Sequence, residues 1–349
     1  MAIFAGVGVL LMALVGLSLN VGSDYLDQRA MQAGVDSAAM AGGRMLVADF
    51  HACQNSTTLP YVDQWGGSNS LPTTVKNIAE AAYGGSSRNQ VVTKYSSFYV
   101  NNLGQFLSLA GVNASSTWCA APPTWTGPTG VGVSLSAQHN NNILPIVGAA
   151  MSAETASATS VFGVVNAVNT SMPNYGPYGI WNDCSWQGTQ SVVGPLQPGS
   201  VVVFRSNNWP TKGACGQSTL GSIDYKGYLH QPNPSVVLTQ GSAVSKGGNS
   251  LQKEPLPMLV QSCENRTPIV VPEISAASGD GGVSMTVTGF VSLLLTEAPC
   301  SNYGPPASID FTGTVVNFAP YSSELGVCST LSCLNNSDTS AATVVLLME

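Results

Sequence analysis

The sequence opens with MAIFAGVGVLLMALVGLSLNVGS, residues 1–23, a stretch that contains no charged side chain. Charges begin at Asp24, in a segment that keeps good helix formers and has no proline before Pro60. An apolar run of this length is sufficient to cross a bilayer. The pattern predicts one helix of about 45 to 50 residues, roughly 70 Å long, assigned to residues 1–50. Its first half is apolar and its second half is polar.

The same residues also indicate whether an N-terminal leader has been removed from the chain. A secretory signal peptide begins with a basic region, whereas here nothing basic precedes Arg29. A chain whose cationic leader has been removed would look like this, which predicts Met1 as the mature N-terminus. The alternative is a membrane anchor that keeps its initiator methionine and therefore lacks an N-terminal positive orientation signal.

The composition indicates an exported protein. Charged residues make up 8% of the 349 residues, against about 25% in average soluble domains. A surface with so few charges is typical of an extracellular protein or of one that neighbouring subunits cover. The formal net charge of −7, together with the absence of a Lys/Arg cluster, argues against nucleic acid as a partner.

A chain of this length exceeds one ordinary core, so two domains are expected behind the helix. We predict a mixed α/β middle domain at residues 51–165 and a mostly antiparallel β domain at residues 166–349. The fold class is therefore α+β, with a long N-terminal helix followed by two β-rich globular domains.

Hydrophobic periodicity places the elements of these domains. A short amphipathic helix is predicted at residues 71–83. Strands are predicted at residues 90–100, 130–138, 151–161, 200–204, 235–239, 268–271, 283–295, 307–318 and 343–347. A glycine near the middle of the 283–295 and 307–318 strands indicates a bulge or bend in each.

Eight cysteines all follow the predicted helix, an arrangement typical of disulfides in an oxidising compartment. A zinc site would need closer pairs than Cys328-Ser-Thr-Leu-Ser-Cys333, the nearest spacing in the chain. Because short loops close at the lowest entropic cost, we expect pairing in sequential order. The predicted pairs are Cys328–Cys333, Cys184–Cys215 and Cys263–Cys300, and Cys53 and Cys119 are the remaining cysteines.

Small residues recur on the polar half of the helix. The first row consists of Ala30, Gly34, Ala38 and Gly42, and Ala33, Ser37 and Ala41 form a second row beside it. Side chains four apart share a face, and small ones let another backbone approach. The first row packs either on the protein's own globular part or against helices of other copies. After Gly42-Gly43 the helix is expected to fray.

Three motifs on the helix carry a family resemblance. They are a Leu-Val-Gly-Leu core at residues 14–17, a small polar step at residues 21–26, and Gln-Ala-Gly-Val-Asp-Ser-Ala-Ala at residues 32–39. In this order, over residues 4–46, they resemble the N-terminal region of TadE/TadG-like proteins of the tight-adherence (Tad) branch of type IV pilus systems. Residues 130–160 and 268–349 resemble the periplasmic part of TadG-type proteins.

The resemblance implies a pilin-like subunit whose copies bind one another in a helical homopolymer. It further implies a prepilin peptidase that cuts before the apolar run, and an inner membrane that holds the subunit before pilus assembly machinery exports it. Many pilins carry Glu at the fifth mature position, which here is Ala5. TadG-type proteins are commonly envelope-anchored, so an accessory role in pilus assembly or adhesion is the alternative.

No catalytic motif is present: there is no G-x-S-x-G elbow, H-E-x-x-H helix, P-loop or G-x-G-x-x-G before a helix. We therefore expect neither enzyme activity nor a cofactor nor a metal. His51, near Cys53, is interpreted as a structural surface histidine rather than part of a nucleophile pair. The Gly-Asp-Gly-Gly sequence at residues 279–282 lacks the further oxygen ligands of a calcium site and is interpreted as a hairpin turn.

Two further residue sets leave alternatives open. The tryptophans are interpreted as core or loop anchors, with stacking on sugars as the alternative; they are Trp65, Trp118, Trp125, Trp181, Trp186 and Trp209. Five asparagines begin N-x-S/T sequons, a number for which chance is a sufficient explanation, so glycosylation is a hypothesis. They are Asn55, Asn113, Asn169, Asn265 and Asn335.

The leading functional hypothesis is structural. Helices of many copies form a filament core, and the disulfide-bearing domains form its outer layers. A monomeric or low-copy accessory anchored by the same helix is the first alternative. A secreted hydrolase or sugar-binding module on a membrane tether is the second, although the lack of clustered His, Asp and Glu counts against a hydrolase.

Overall fold

The structure, a computed structural model, describes a subset of the chain. The described residues are 2–61, 75–79, 90–107, 117–140, 151–172, 174–176, 179–181, 184–187, 190–194, 196–204, 223–224, 236–246, 266–276, 285–297, 311–320, 325–337 and 341–348. On the first helix, side chains are described from Leu14 onward, apart from Asn20. Met1, the expected mature N-terminus, lies outside the described residues.

A single helix, α1 (Ala2–Gln54), forms the first part of the chain. Its 53 residues span about 80 Å at 1.5 Å per residue. The helix ends in a Schellman-type cap, in which Ser56 has a φ of 54° and Thr57 donates its N–H to the Ala52 carbonyl at 2.8 Å. This cap pairs the last carbonyls and ends the helix before Pro60.

The expected fraying after Gly42-Gly43 is wrong, because α1 continues to Gln54. Both glycines lie against a sheet. A Cβ at Gly42 would lie 3.0 Å from Cγ1 of Val131, and one at Gly43 would lie 2.5 Å from Cγ1 of Val345. Glycine therefore serves close packing here, and burial of the surrounding helix face offsets its low helix propensity.

The strands follow the helix. In chain order they are β1 (Gln90–Val100), β2 (Gly130–Asn140), β3 (Met151–Asn169), β4 (Ile180–Trp181), β5 (Cys184–Gln187), β6 (Gln190–Val193), β7 (Val201–Phe204), β8 (Ile223–Asp224), β9 (Val237–Thr239), β10 (Ala243–Lys246), β11 (Ile269–Ala276), β12 (Met285–Glu297), β13 (Phe311–Val316), β14 (Leu325–Cys328) and β15 (Thr343–Met348). A short helix, α2 (Leu331–Asn335), lies between the last two strands, with Thr330 as its N-cap.

Within the described residues, six strands form the first sheet, in the order β1-β2-β3-β14, with β15 and β9 also paired to β3. All of these pairings are antiparallel. Helix α1 packs on β2, β3 and β15. Strand β3 has 19 residues and is the central strand of this sheet. Its first part pairs with β2, whereas its second part pairs with β15, β14 and β9, which come later in the chain.

The second sheet has nine described strands in the order β4-β11-β12-β13-β7-β5-β6, and β10 and β8 extend it beside β12. The pairing of β4 with β11 is parallel, whereas the others are antiparallel. The register places Glu273 opposite Gly289 and Ile274 opposite Val287, which leaves Thr288 as an extra residue. The bulge predicted near the middle of this strand is therefore present.

Apolar side chains fill three layers. The first lies between α1 and the first sheet and includes Phe50, Trp125 and Phe162. The second joins the two sheets, with Val344 of β15 and Phe290 of β12 in the same cluster. The third covers the opposite face of the second sheet. Strand β12 is buried on both faces, which explains its nearly continuous apolar sequence.

The α+β class is confirmed, with an N-terminal helix and a β-rich body of two sheets. The expected domain boundary between residues 165 and 166 lies inside β3, and the first sheet takes strands from both sides of it. Long-range pairing of β14 and β15 with β3 has no signal in local periodicity. Of the helix predicted at residues 71–83, the structure describes residues 75–79, and these are helical.

Candidate assembly surface

The first part of α1 exposes large apolar side chains that the rest of the chain does not cover. We call residues 2–26 the stem. Its exposed apolar side chains have between 49% and 62% of their surface accessible; they are Leu14, Val15, Leu17, Leu19, Val21, Tyr25 and Leu26. At 3.6 residues per turn, they cover an arc of about 200° around the helix. Surface of this kind marks a contact with lipid or protein.

The membrane-spanning role expected for residues 1–23 rests largely on side chains outside the described part of the helix. Where side chains are described, no helical stretch has both the length and the apolar character that a bilayer span requires.

Below the stem, α1 becomes part of the folded body. Met31, Val35, Ala38 and Ala39 are fully buried. The hydroxyl of Ser160 in β3 donates to the Ala39 carbonyl at 2.6 Å and so connects this strand directly to the helix backbone. The helix is thus divided between an exposed apolar segment and a segment that is fixed in the core.

The row of small residues lies at this helix–sheet contact. Gly34, Ala38 and Gly42 are buried within the chain itself, and Ala30 is half-buried. The sequence leaves open whether this row packs on the protein's own globular part or against helices of other copies. In the structure it packs on the protein's own body. Ala33 and Ser37 of the second row are exposed, on the outward side of α1.

Two disulfides fix the body around the end of α1. Cys53 at the end of the helix is bonded to Cys119, and Cys328 is bonded to Cys333 across the start of α2. Each disulfide joins two cysteines that are consecutive among the eight in the sequence, as the predicted sequential pairing requires. The side chains of Cys184, Cys215, Cys263 and Cys300 are not among those that the structure describes, so their pairing stays a prediction.

We expect the two disulfides to differ in their effect on stability. Their cysteines are separated by 66 and 5 residues, and the chain-entropy model gives about 4 and about 2 kcal/mol for loops of these sizes. Guanidinium unfolding should therefore show a larger loss for Cys53→Ala/Cys119→Ala than for Cys328→Ala/Cys333→Ala. Equal losses, or the reverse order, would contradict the assignment of Cys53–Cys119 as the main constraint on α1.

An aromatic cluster supports the same region. Trp118 and Trp125 are buried with ring centroids 5.8 Å apart, and Phe50 of α1 lies 6.1 Å from Trp125. These two tryptophans are core anchors and present no face for sugars. Tyr99 packs edge-on against Trp118. Its burial, and secondarily the Asp49 carboxylate, raises the pKa of Tyr99, so the phenol remains protonated.

His51 is buried, and its interpretation as a surface histidine is wrong. Near the end of α1, Nε2 of His51 lies 3.2 Å from the carbonyl oxygen of Asn317, which follows β13 of the second sheet, and 3.3 Å from Oγ1 of Thr343 in β15 of the first sheet. Cys53 is held in a disulfide, so it is not a nucleophile. In the part of the chain that the structure describes, no three His, Cys, Asp or Glu residues are grouped to bind a metal.

Other predicted sites are only partly described. Residues 279–282 lie outside the described part of the chain, between β11 and β12, which pair antiparallel up to Ala276 and Met285. The Asn335 side chain bonds the backbone N–H and carbonyl of Trp125 at 2.7 and 3.0 Å. This sequon asparagine is therefore engaged inside the body.

A cleft of about 560 Å³ opens where the stem meets the body. Local sequence patterns did not predict it, because its walls come from three distant parts of the chain. We call it the stem-base cleft. It is lined by Gln32 and Asp36 of α1, Leu103 and Gly104 after β1, and Leu347 and Met348 of β15, with β3 as its floor.

The cleft combines one carboxylate with an apolar rim. Nε2 of Gln32 donates to Oδ1 of Asp36 at 2.8 Å and to the Ser157 carbonyl at 3.1 Å, which holds the Asp36 carboxylate in place. Asp36 is the one ionisable side chain among the described lining residues. Leu103 and Met348 expose 64% and 39% of their surfaces beside it. Such a site fits an apolar segment that carries a cation.

Residues 1–45 match the family model described as Putative Flp pilus-assembly TadE/G-like. This confirms the resemblance of the helix, whereas the similarity of residues 130–160 and 268–349 to TadG-type proteins stays a prediction. Comparisons with curated proteins and with solved structures gave no match. The match covers the stem and most of the helix that packs on the body, and it connects this helix with pilus assembly.

Proposed function

We propose that this chain, whose first 45 residues match a pilus-assembly family, is a structural subunit of a Tad-like extracellular filament. Its copies polymerise through their stems, and the disulfide-stabilised body forms the outer layer. The proposed role involves no catalysis. Before assembly the stem lies in the inner membrane, after a prepilin peptidase has cut the precursor, and the pilus machinery then transfers the subunit to the filament.

The observation that carries this proposal is the exposed apolar surface of the stem. Full burial of a large apolar side chain contributes about 1.5–3 kcal/mol. For seven side chains that are each about half exposed, this amounts to roughly 6–12 kcal/mol. Loss of rotational and translational freedom on association costs about 4–15 kcal/mol. One neighbour covers only part of the stem's arc and yields only part of this gain, so burial of the whole arc requires several neighbours, which a helical array provides.

A second candidate is an inner-membrane-anchored accessory of pilus assembly or adhesion. It is favoured by the burial of Gly34, Ala38 and Gly42 inside the chain itself. This burial removes one surface through which helices of different copies could have packed. The accessory would use the same stem only as an anchor and would remain at low copy number.

Fractionation of cells that make the full chain tests the two candidates. We expect an antibody against the body to detect the chain in sheared extracellular material that sediments as polymer, free of an inner-membrane marker protein. Detection only in detergent-extracted inner membrane would reject the filament subunit and leave the accessory.

A further inference from the structure

The outward face of α1 carries a cation close to the stem-base cleft. Arg29 is the first basic residue of the chain. It is exposed, and its guanidinium lies 5.5 Å from the ring centroid of Tyr25. Tyr25 and Leu26 are both more than half exposed. The three side chains together form an apolar surface with one positive charge, which is the complement of the cleft.

Arg29 and Asp36 are seven residues apart on one helix. Seven residues correspond to about two turns, so the two side chains point within about 20° of each other and are separated by about 10.5 Å along the axis. Arg29 therefore lies too far above Asp36 to fill its own cleft. A parallel copy displaced by this distance, and rotated about the filament axis so that its Arg29 is turned toward the first copy, would bring that Arg29 to the level of Asp36.

We propose that the stem-base cleft binds residues 25–29 of a second copy, displaced by seven residues along the filament. This inference rests on the proposed filament function and adds the contact that sets its register. Arg29 of the second copy pairs with Asp36, and Tyr25 and Leu26 of that copy cover Leu103 and Met348. Because each copy offers Arg29 to one neighbour and Asp36 to another, the contact is heterologous and repeats along an open polymer.

A second copy fits the cleft better than an unrelated partner for two reasons. The occupant must bring apolar side chains and one cation within a single helical turn, and this chain presents both on an exposed helix. The pairing also covers two exposed surfaces at once, since the stem and the rim of the cleft are otherwise open to water. A guanidinium that meets a carboxylate held by Gln32 forms a charge-assisted pair with little further ordering.

Charge reversal tests the pair in cells that assemble the full chain. We expect Arg29→Glu and Asp36→Arg each to reduce the chain in the sheared fraction at least about tenfold. The combined variant should recover most of the wild-type amount, because every contact in the polymer then has reversed but complementary charges. Lys94→Glu on β1 is the matched control and should have no effect. Wild-type amounts from both single variants, or no recovery in the combined variant, would overturn the proposal.

Site-specific photo-crosslinking tests the contact without altering either charge. A photoreactive phenylalanine analogue at Leu103 should give a covalent dimer in sheared filaments, with the crosslink within residues 25–29 of the second copy. A dimer linked elsewhere, or no dimer, would overturn the docking site while the filament function stands. Absence of the unmodified chain from sheared filaments would overturn the filament function itself, and the docking site with it.

Discussion

Gly43→Leu is expected to destabilise the folded body by at least about 3 kcal/mol, at the upper end of the range for overpacked cores. A Cβ at this position would lie 2.5 Å from Cγ1 of Val345 and 2.9 Å from Oγ of Ser160. Neither neighbour can move easily. Val345 lies in the middle of β15, and Ser160 donates its hydroxyl proton to the Ala39 carbonyl of the same helix. The helix would have to leave the sheet or the sheet would have to distort.

Gly22→Leu is the matched control for this substitution. A Cβ at Gly22 would meet nothing within 4 Å, and replacing a helical glycine favours the helix by about 0.5–1 kcal/mol. Guanidinium unfolding of the detergent-solubilised full chain, followed by the fluorescence of the tryptophans, measures both variants. Similar unfolding midpoints for Gly43→Leu and Gly22→Leu would show that α1 is not packed on the first sheet at this point.

The second large effect concerns assembly rather than folding. Leu17→Asp combined with Leu19→Asp should remove the chain from sheared filaments, because each new carboxylate would have to be buried between apolar neighbours. Both side chains are about half exposed and lie outside the body. The unfolding midpoint of the solubilised chain should therefore remain that of the wild type.

Val237→Asp combined with Leu331→Asp provides the control for this experiment. These two side chains are similarly exposed but lie on the body, in β9 and α2. We expect this variant to assemble normally. Filaments that tolerate carboxylates at residues 17 and 19, or that are lost equally with the control variant, would contradict a specific role of the stem.

Features of the fold that depend on local pattern could be predicted from the sequence. The apolar run and the absence of proline before Pro60 indicate α1, alternating side chains indicate β1 and β2, and a short apolar segment in a region rich in turn residues indicates β15, each within a few residues of the observed bounds. These features follow from backbone periodicity alone. The Cys328–Cys333 disulfide belongs to the same class, since its cysteines are close in sequence.

Features that depend on distant contacts could not be predicted in the same way. Gly42 and Gly43 indicate a helix end by propensity, and only the approach of Val131 and Val345 explains why the helix continues. The sequence alone favours a surface position for His51, because nothing local shows that Asn317 and Thr343 lie beside it. The stem-base cleft likewise joins residues 32–36, 103–104 and 347–348, which no local pattern relates.

In the proposed filament, the stem leaves the membrane and is buried among copies of itself. Cryo-electron microscopy of sheared surface filaments, with the subunit identified by mass spectrometry, tests it most directly. We expect a core of parallel helices in which residues 2–26 of neighbouring copies touch, surrounded by the two sheets of each body. Filaments that contain this chain without its stem at the axis, or filaments built entirely from another protein, would contradict it.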